Sequence, residues 1–208
     1  MKIYFHYSAP GFSNGYIIGN EETGKAIIID PGIMDSTLLN HIEQNRFLLD
    51  AVLITHSHEN HFRGLKTLLK IYAPKVYAAD TELSGQKTVL LQGDGSFEAA
   101  DFTIMYYAVP GHSPDSVLYQ IGNVVFTGDS ITAGLLGDTN NIYGKKNLLN
   151  NLQNKLFKQS KELFLFPGHG PPTTLEAERL FNFELIQSSL SDIVEANRTF
   201  QLFDTEQY

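Results

Sequence analysis

Apolar and polar positions along this chain fall into short strand-like runs broken by two longer helical stripes. Residues 2–7 and 14–19 are rich in Tyr, Ile and Phe, and Gly11 and Gly15 mark the turn region between them, which predicts two strands. Ala26-Ile27-Ile28-Ile29-Asp30 is a continuous apolar run that stops at Pro31-Gly32, as expected of a buried strand running into a loop. A helix should follow, with Asp35 or Ser36 as N-cap and Leu38, Leu39 and Ile42 on one face. Residues 51–54 read as a second buried strand, stopping at a cluster of histidines. From Phe62 onward, Leu65, Leu68, Leu69 and Tyr72 have helical spacing, and Pro74 ends that helix.

The middle of the chain is strand-like. Residues 75–79 form one run, Gly93-Asp94-Gly95 reads as a turn only, and residues 102–109 form another run. Residues 116–121 and 124–127 flank Gly122-Asn123, a hairpin signal. Leu148, Leu149, Leu152 and Leu156 then make a helical stripe, and residues 163–166 form a short apolar strand before a Gly/Pro loop. Thr173 or Thr174 can cap a further helix with Glu176 and Glu178 in its first turn. The tail from about residue 184 reads as helical, with a polar end expected to fray. The pattern predicts one compact α/β domain over residues 1–208, with loops at strand ends.

Composition narrows the function classes. The chain has 208 residues, 15 Lys+Arg against 23 Asp+Glu, and a net charge of −8. For that size, about 70% of the unfolded chain's surface is buried on folding, so a core is possible without staples. The acidic balance argues against gripping nucleic acid by bulk charge. There is no cysteine, which removes disulfides, thiolate ligands and cysteine nucleophiles. The N-terminus lacks an apolar signal region, and no stretch approaches the roughly 18 apolar residues of a membrane helix. A soluble, cytoplasmic protein acting on a small molecule, without membrane or nucleic-acid partners, is the expectation.

Five of the seven histidines fall in three loops, each following a predicted strand. The loops are Thr55-His56-Ser57-His58-Glu59-Asn60-His61, Pro110-Gly111-His112-Ser113-Pro114 and Pro167-Gly168-His169-Gly170. Asp129 ends another strand, in Thr127-Gly128-Asp129. Imidazoles at i and i+2 of extended backbone point the same way, so His56 and His58 can chelate one ion. His61 opens a helix and can turn to a neighbouring position. Imidazole and carboxylate suit zinc, and also iron or manganese. His6 and His41 stand alone and read as ordinary structural residues.

These residues resemble the metallo-β-lactamase superfamily, whose hallmark is HxHxDH, then a distant His, an Asp and a final His on an αββα sandwich. The resemblance runs from Ile27 to about Phe183. The segments Gly111-His112-Ser113-Pro114, Thr127-Gly128-Asp129 and Pro167-Gly168-His169-Gly170-Pro171-Pro172-Thr173-Thr174 are similar to the short glyoxalase II type. The resemblance implies two mixed sheets with helices on the outer faces. It implies His56, His58 and His112 on a first metal, His61, His169 and the motif's acid on a second, and Asp129 bridging. The implied cofactor is one or two zinc ions, with iron as the alternative. Asp30 matches the outer acid that braces the histidine loop, although a strand-terminal turn acid would look the same. The implied reaction is hydrolysis of a thioester or ester by metal-bound hydroxide, with Asp129 and the weakened position Asn60 as the catalytic positions.

Three departures refine that expectation. The motif's acid is Asn60, so the second site loses a negative ligand, and Glu59 beside it should project the other way. Where relatives carry a basic segment after the bridging acid, this chain has Gly137-Asp138-Thr139-Asn140. Only about 25 residues follow the matched region, so the long C-terminal domain of larger glyoxalase II enzymes is not expected. The last two argue against glutathione as carrier. The rival readings are a persulfide dioxygenase-like enzyme with one iron on His56, His112 and Asp129, and a non-catalytic metal-binding protein. A nuclease is weaker, given the charge.

Overall fold

The computed structural model of the chain describes residues 1–159 and 162–187. The first half contains β1 (Lys2–Ser8), β2 (Ser13–Gly19), β3 (Lys25–Ile29), β4 (Leu48–Leu53), β5 (Lys75–Ala78), a small hairpin of β6 (Glu82–Leu83) and β7 (Gln86–Lys87), and β8 (Val89–Leu90). The second half contains β9 (Gly95–Ala99), β10 (Phe102–Ala108), β11 (Val117–Ile121), β12 (Val124–Gly128), a hairpin of β13 (Ile131–Thr132) and β14 (Leu135–Leu136), β15 (Phe164–Pro167) and β16 (Thr173–Thr174). The helices are α1 (Ser36–Gln44), α2 (Glu59–Phe62), α3 (Leu65–Leu68), α4 (Ile142–Lys155) and α5 (Leu175–Phe181).

Two mixed six-stranded sheets result, in the orders β1-β2-β3-β4-β5-β8 and β16-β15-β12-β11-β10-β9. In the first, β1 to β3 are antiparallel and β3, β4, β5 and β8 run parallel. In the second, β12 and β15 are parallel and the other pairs antiparallel. Strand β3 shows how the layers arise. Ile27 and Ile29 enter the core between the sheets with Leu53, Tyr119 and Phe126. Ala26 and Ile28 face the other way, into a second core with Leu38 and Ile42 of α1 and Leu65 and Leu68 of α3. A strand buried on both faces must be apolar at every position, which is why 26–29 shows no alternation. The outer face of the second sheet repeats the plan: Leu118, Val125 and Leu165 pack under Leu148 and Leu152 of α4 and Leu175 of α5. Each fully buried Leu or Ile contributes about 1.5–3 kcal/mol. The order helix, sheet, sheet, helix is the expected sandwich.

The cap readings resolve to one residue each. Asp35 Oδ1 accepts the Leu38 N–H at 2.9 Å, and Thr174 Oγ1 accepts the Ala177 N–H at 3.1 Å. The single helix expected from Phe62 to Pro74 is instead two four-residue helices followed by turns. The break falls at Gly64, whose N–H donates to the Pro31 carbonyl at 2.9 Å, where an added Cβ would lie 2.5 Å from that oxygen. Packing of the histidine segment against the loop after β3 thus overrides helical spacing. Gly93-Asp94-Gly95 is more than a turn, because Gly95 opens β9; in that strand the serine and glutamate flanking Phe97 hide an alternating pattern. Residues 183–187 are helical, and the rest of the expected tail helix lies outside the described residues. No helix among the described residues is long and apolar enough to cross a membrane.

Candidate metal centre

Every loop that bears a candidate ligand leaves its strand at the same edge of the sandwich. Strand β3 is followed directly by Asp30, a buried residue with φ of +49°, a left-handed conformation uncommon outside glycine. Its carboxylate accepts the Thr55 N–H at 2.8 Å and the Thr55 hydroxyl at 2.6 Å, and it lies 3.0 Å from His61 Nδ1. One acid therefore braces both ends of the histidine segment. Nδ1–H of His61 donates to Asp30, so Nε2 is the atom turned inward. The second sheet grips the same segment, since the Thr55 carbonyl accepts the Val117 N–H at 2.8 Å.

Two groups of ligand-type atoms converge, and within each the atoms lie within 4.8 Å of one another. The first is His56, His58, His112 and Asp129. His58 Nδ1 lies 2.9 Å from His56 Nε2 and 3.1 Å from His112 Nε2, and Asp129 Oδ2 lies 3.8 Å from both Nε2 atoms. Ligand atoms on a tetrahedral zinc ion at its usual bond lengths sit roughly 3.3 Å apart, so this spacing fits one ion. His112 Nδ1 donates to the Asp138 carbonyl at 2.7 Å, which fixes the ring with Nε2 inward. The second group is His61, Asp129 and His169, with His61 Nε2 at 3.3 Å from Asp129 Oδ2 and His169 Nδ1 at 2.7 Å from Oδ1. His61 Nε2 is buried without a hydrogen-bond partner. A buried polar atom left without a partner is costly, and a metal ion would satisfy it. The donor set fits a divalent cation.

Asn60 lies at the rim of the second group, with Nδ2 3.1 Å from His169 Nε2. Glu59 projects away, as expected, and pairs with Arg63 at 3.2 Å on the exposed side of α2. His6 is buried against Asp35 at 2.9 Å, and His41 packs on Tyr4; both lie outside the two groups.

The electrostatics divide the two groups. Burial, helped by the neighbouring imidazoles, pushes His56 down to about 2 and also lowers His58. Burial likewise penalises charged His61, but the Asp129 and Asp30 carboxylates outweigh it and push His61 up to about 10. The hydrogen bond to Asp129 raises His169. Asp129 is disfavoured as an anion by burial, yet His169 and His61 hold it well below the usual carboxylate range. Without an ion, His56 and His58 of the first group are neutral imidazoles near a carboxylate, and the second group is an ion-pair network.

Sequence reasoning passed over the brace from the N-terminal hairpin. Ser13 donates its hydroxyl to the Asn60 carbonyl at 2.7 Å, and the Gly11 carbonyl lies 3.2 Å from His169 Nε2. Asn14 and Tyr16 reach the loop of His169. The available signal was two polar residues, Ser13 and Asn14, opening a strand buried at every position. Glu178, buried in α5, was read as a helix-start acid. It also accepts the Gly134 N–H, the Thr173 hydroxyl and the Asn182 amide, tying α5 to the loop beyond Asp129.

The family model of the metallo-β-lactamase superfamily matches residues 8–169. A probable metallo-hydrolase of Bacillus subtilis, YqgX, is 27% identical over 190 residues, covering 80% of this chain and 89% of that protein. The hydroxyacylglutathione hydrolase of Klebsiella pneumoniae is 32% identical over 134 residues, but the match spans 62% of this chain and only 52% of that enzyme. Among solved structures, the BLEG-1 B3 metallo-β-lactamase superposes with a TM-score of 0.78 at 26% identity, covering 88% of this chain and 99% of that one. Fold, ligand loops and family model agree: the chain belongs to the metallo-β-lactamase superfamily.

Proposed function

We propose that this chain is a zinc-dependent hydrolase that cleaves a thioester or ester of a small molecule. The observation that carries the reading is the pair of ligand groups sharing Asp129, with the buried ring of His61 held by Asp30 at Nδ1 and turning an Nε2 without a hydrogen bond toward Asp129. Similarity to a probable metallo-hydrolase and to a hydroxyacylglutathione hydrolase supports it. His56, His58, His112 and Asp129 would hold one ion, and His61, His169 and Asp129 a second, with Asn60 as a weakened neighbour. Such an ion supplies Lewis acidity and makes water acidic near neutral pH. The chain's own residues do the rest. Asp129 turns Oδ2 toward His56, His61 and His112 and Oδ1 toward His169, so one carboxylate serves both groups. Its depressed pKa makes it a group that orients water rather than one that takes up a proton. Neutral Asn60 takes up no proton either. Water adds to the carbonyl carbon, the carbon–sulfur or carbon–oxygen bond breaks, and acid and thiol or alcohol leave.

Beside His112 lies a cleft of about 320 Å³ lined by Leu136, Gly137, Asp138, Thr139, Asn141 and Lys145, among others. It suits the part of the substrate beyond the scissile bond. Lys145 is ion-paired with Glu184, and Asp138 is exposed, so among the described residues the cleft offers no free cation to a carboxylate-bearing carrier. That disfavours glutathione. The test is metal analysis of the purified protein together with thiol release from simple acyl-thioesters. We expect bound zinc and thiol release that His58→Ala abolishes. One iron per chain with oxygen uptake on a persulfide would replace the reading with an oxidative one, and no bound metal would replace it with a non-catalytic one.

A further inference from the structure

Asn14 takes no part in that chemistry, yet it is 3% exposed and spends all its donors on one loop. Its backbone N–H donates to the Gly168 carbonyl at 2.7 Å. Its side-chain amide donates to the Pro167 carbonyl at 3.0 Å and to the Gly170 carbonyl at 2.7 Å. These carbonyls flank His169 on both sides. Asn14 is the second residue of β2 in the first sheet, whereas His169 follows β15 of the second, so the contact crosses the seam between the sheets. The loop has little latitude: a Cβ on Gly168 would lie 2.5 Å from His61 Cε1 and 2.6 Å from Asp129 Oδ1. On its other side the Gly168 N–H donates to the Gly128 carbonyl at 2.8 Å.

We propose that Asn14 is the positioning residue for His169, fixing the peptide groups on either side of it so that the ring meets Asp129 at the second metal position. The inference rests on the reading of His169 as a ligand of the second ion. Only an amide does this at position 14. A carboxylate of the same shape has no hydrogens and would face two carbonyl oxygens, and a hydroxyl is too short to reach both. Removing the donors takes this bond from the Gly170 carbonyl, leaves the Pro167 carbonyl to the Tyr16 hydroxyl alone, and loosens the loop about His169. The first ligand group has no contact with Asn14 and should keep its geometry.

The test compares wild type with Asn14→Asp and the milder Asn14→Ser in two measurements. In metal-free protein, nitrogen-15 spectra of the histidine rings should show the His169 signals shifted or broadened, with those of His56 and His112 unmoved. In zinc titrations, the affinity for the second ion should fall roughly 10- to 100-fold while the first stays within about threefold. A merely structural role would lower both affinities together with thermal stability. That result, or an unchanged His169 ring in a folded variant, would overturn the proposal. If Asn14→Asp fails to fold, Asn14→Ser decides by the same readings. Wild type that binds only one ion would retire the two-ion reading, and the ring spectra would then decide on Asn14 alone.

Discussion

At position 60 an amide stands where a charge would balance a divalent ion, so the two groups of candidate ligands are unequal. Asn60→Asp adds a carboxylate of nearly the same size beside His169 and should raise second-ion affinity by at least about tenfold. Thioester turnover should rise with it, because two ions stabilise both attacking and leaving groups. The check is zinc titration with thiol release, with His58→Ala as the inactive control; a variant that gains the ion without gaining rate would exclude two-metal hydrolysis. Protonation separates the sites independently. His56 and His58 are neutral near pH 7 and need release no proton, whereas His61, pushed up to about 10, must lose one, and His169, raised by its bond to Asp129, holds its proton more firmly than a free imidazole. Raising pH removes those protons. The second ion's affinity should therefore climb by up to roughly tenfold per pH unit per proton released between pH 6 and 8, more steeply than the first ion's, as competition titrations at several pH values would show. The candidate ligands were legible in the sequence because few residue types bind metal, and the fold brings them into two groups. Asn14 was not, because an amide near the start of a strand looks like any turn residue until the loop it grips is brought across from the other sheet.

Elements were legible where burial alone dictates residue type. The run at 26–29 and the Leu148, Leu152 and Leu156 stripe both hold, because a strand between two cores and a helix on a sheet tolerate few polar residues. Reading failed where tertiary contact overrides local preference, as at Gly64, and where a short edge strand alternates with charge, as in β9. The α4 stripe lends itself to a direct measurement. Leu152 is fully buried beneath the second sheet, so Leu152→Ala should cost about 2–5 kcal/mol in urea unfolding. Metal content per folded molecule should not change, because the residue lies on the outer face, away from the ligand loops. Loss of metal at full fold would mean that α4 sets the His112 loop more directly than its packing indicates.

For the molecule as a whole, chain order follows the sheets. Every strand of the first six-stranded sheet lies at or before Leu90, every strand of the second lies from Gly95 onward, and the segment between crosses once, with Gln92, Gly93 and Asp94 exposed. Each ligand group draws on both halves: His56 and His58 with His112 and Asp129, and His61 with Asp129 and His169. A protease cut at Gly93 would therefore turn one folded chain into a two-piece complex in which each piece holds part of both ligand groups. An ion that binds only the joined form tightens their association by the factor 1 + [L]/Kd, about a thousandfold when it is present at about a thousand times its Kd. In the nicked protein the ion becomes a reversible clasp, and a chelator should do what dilution alone does not.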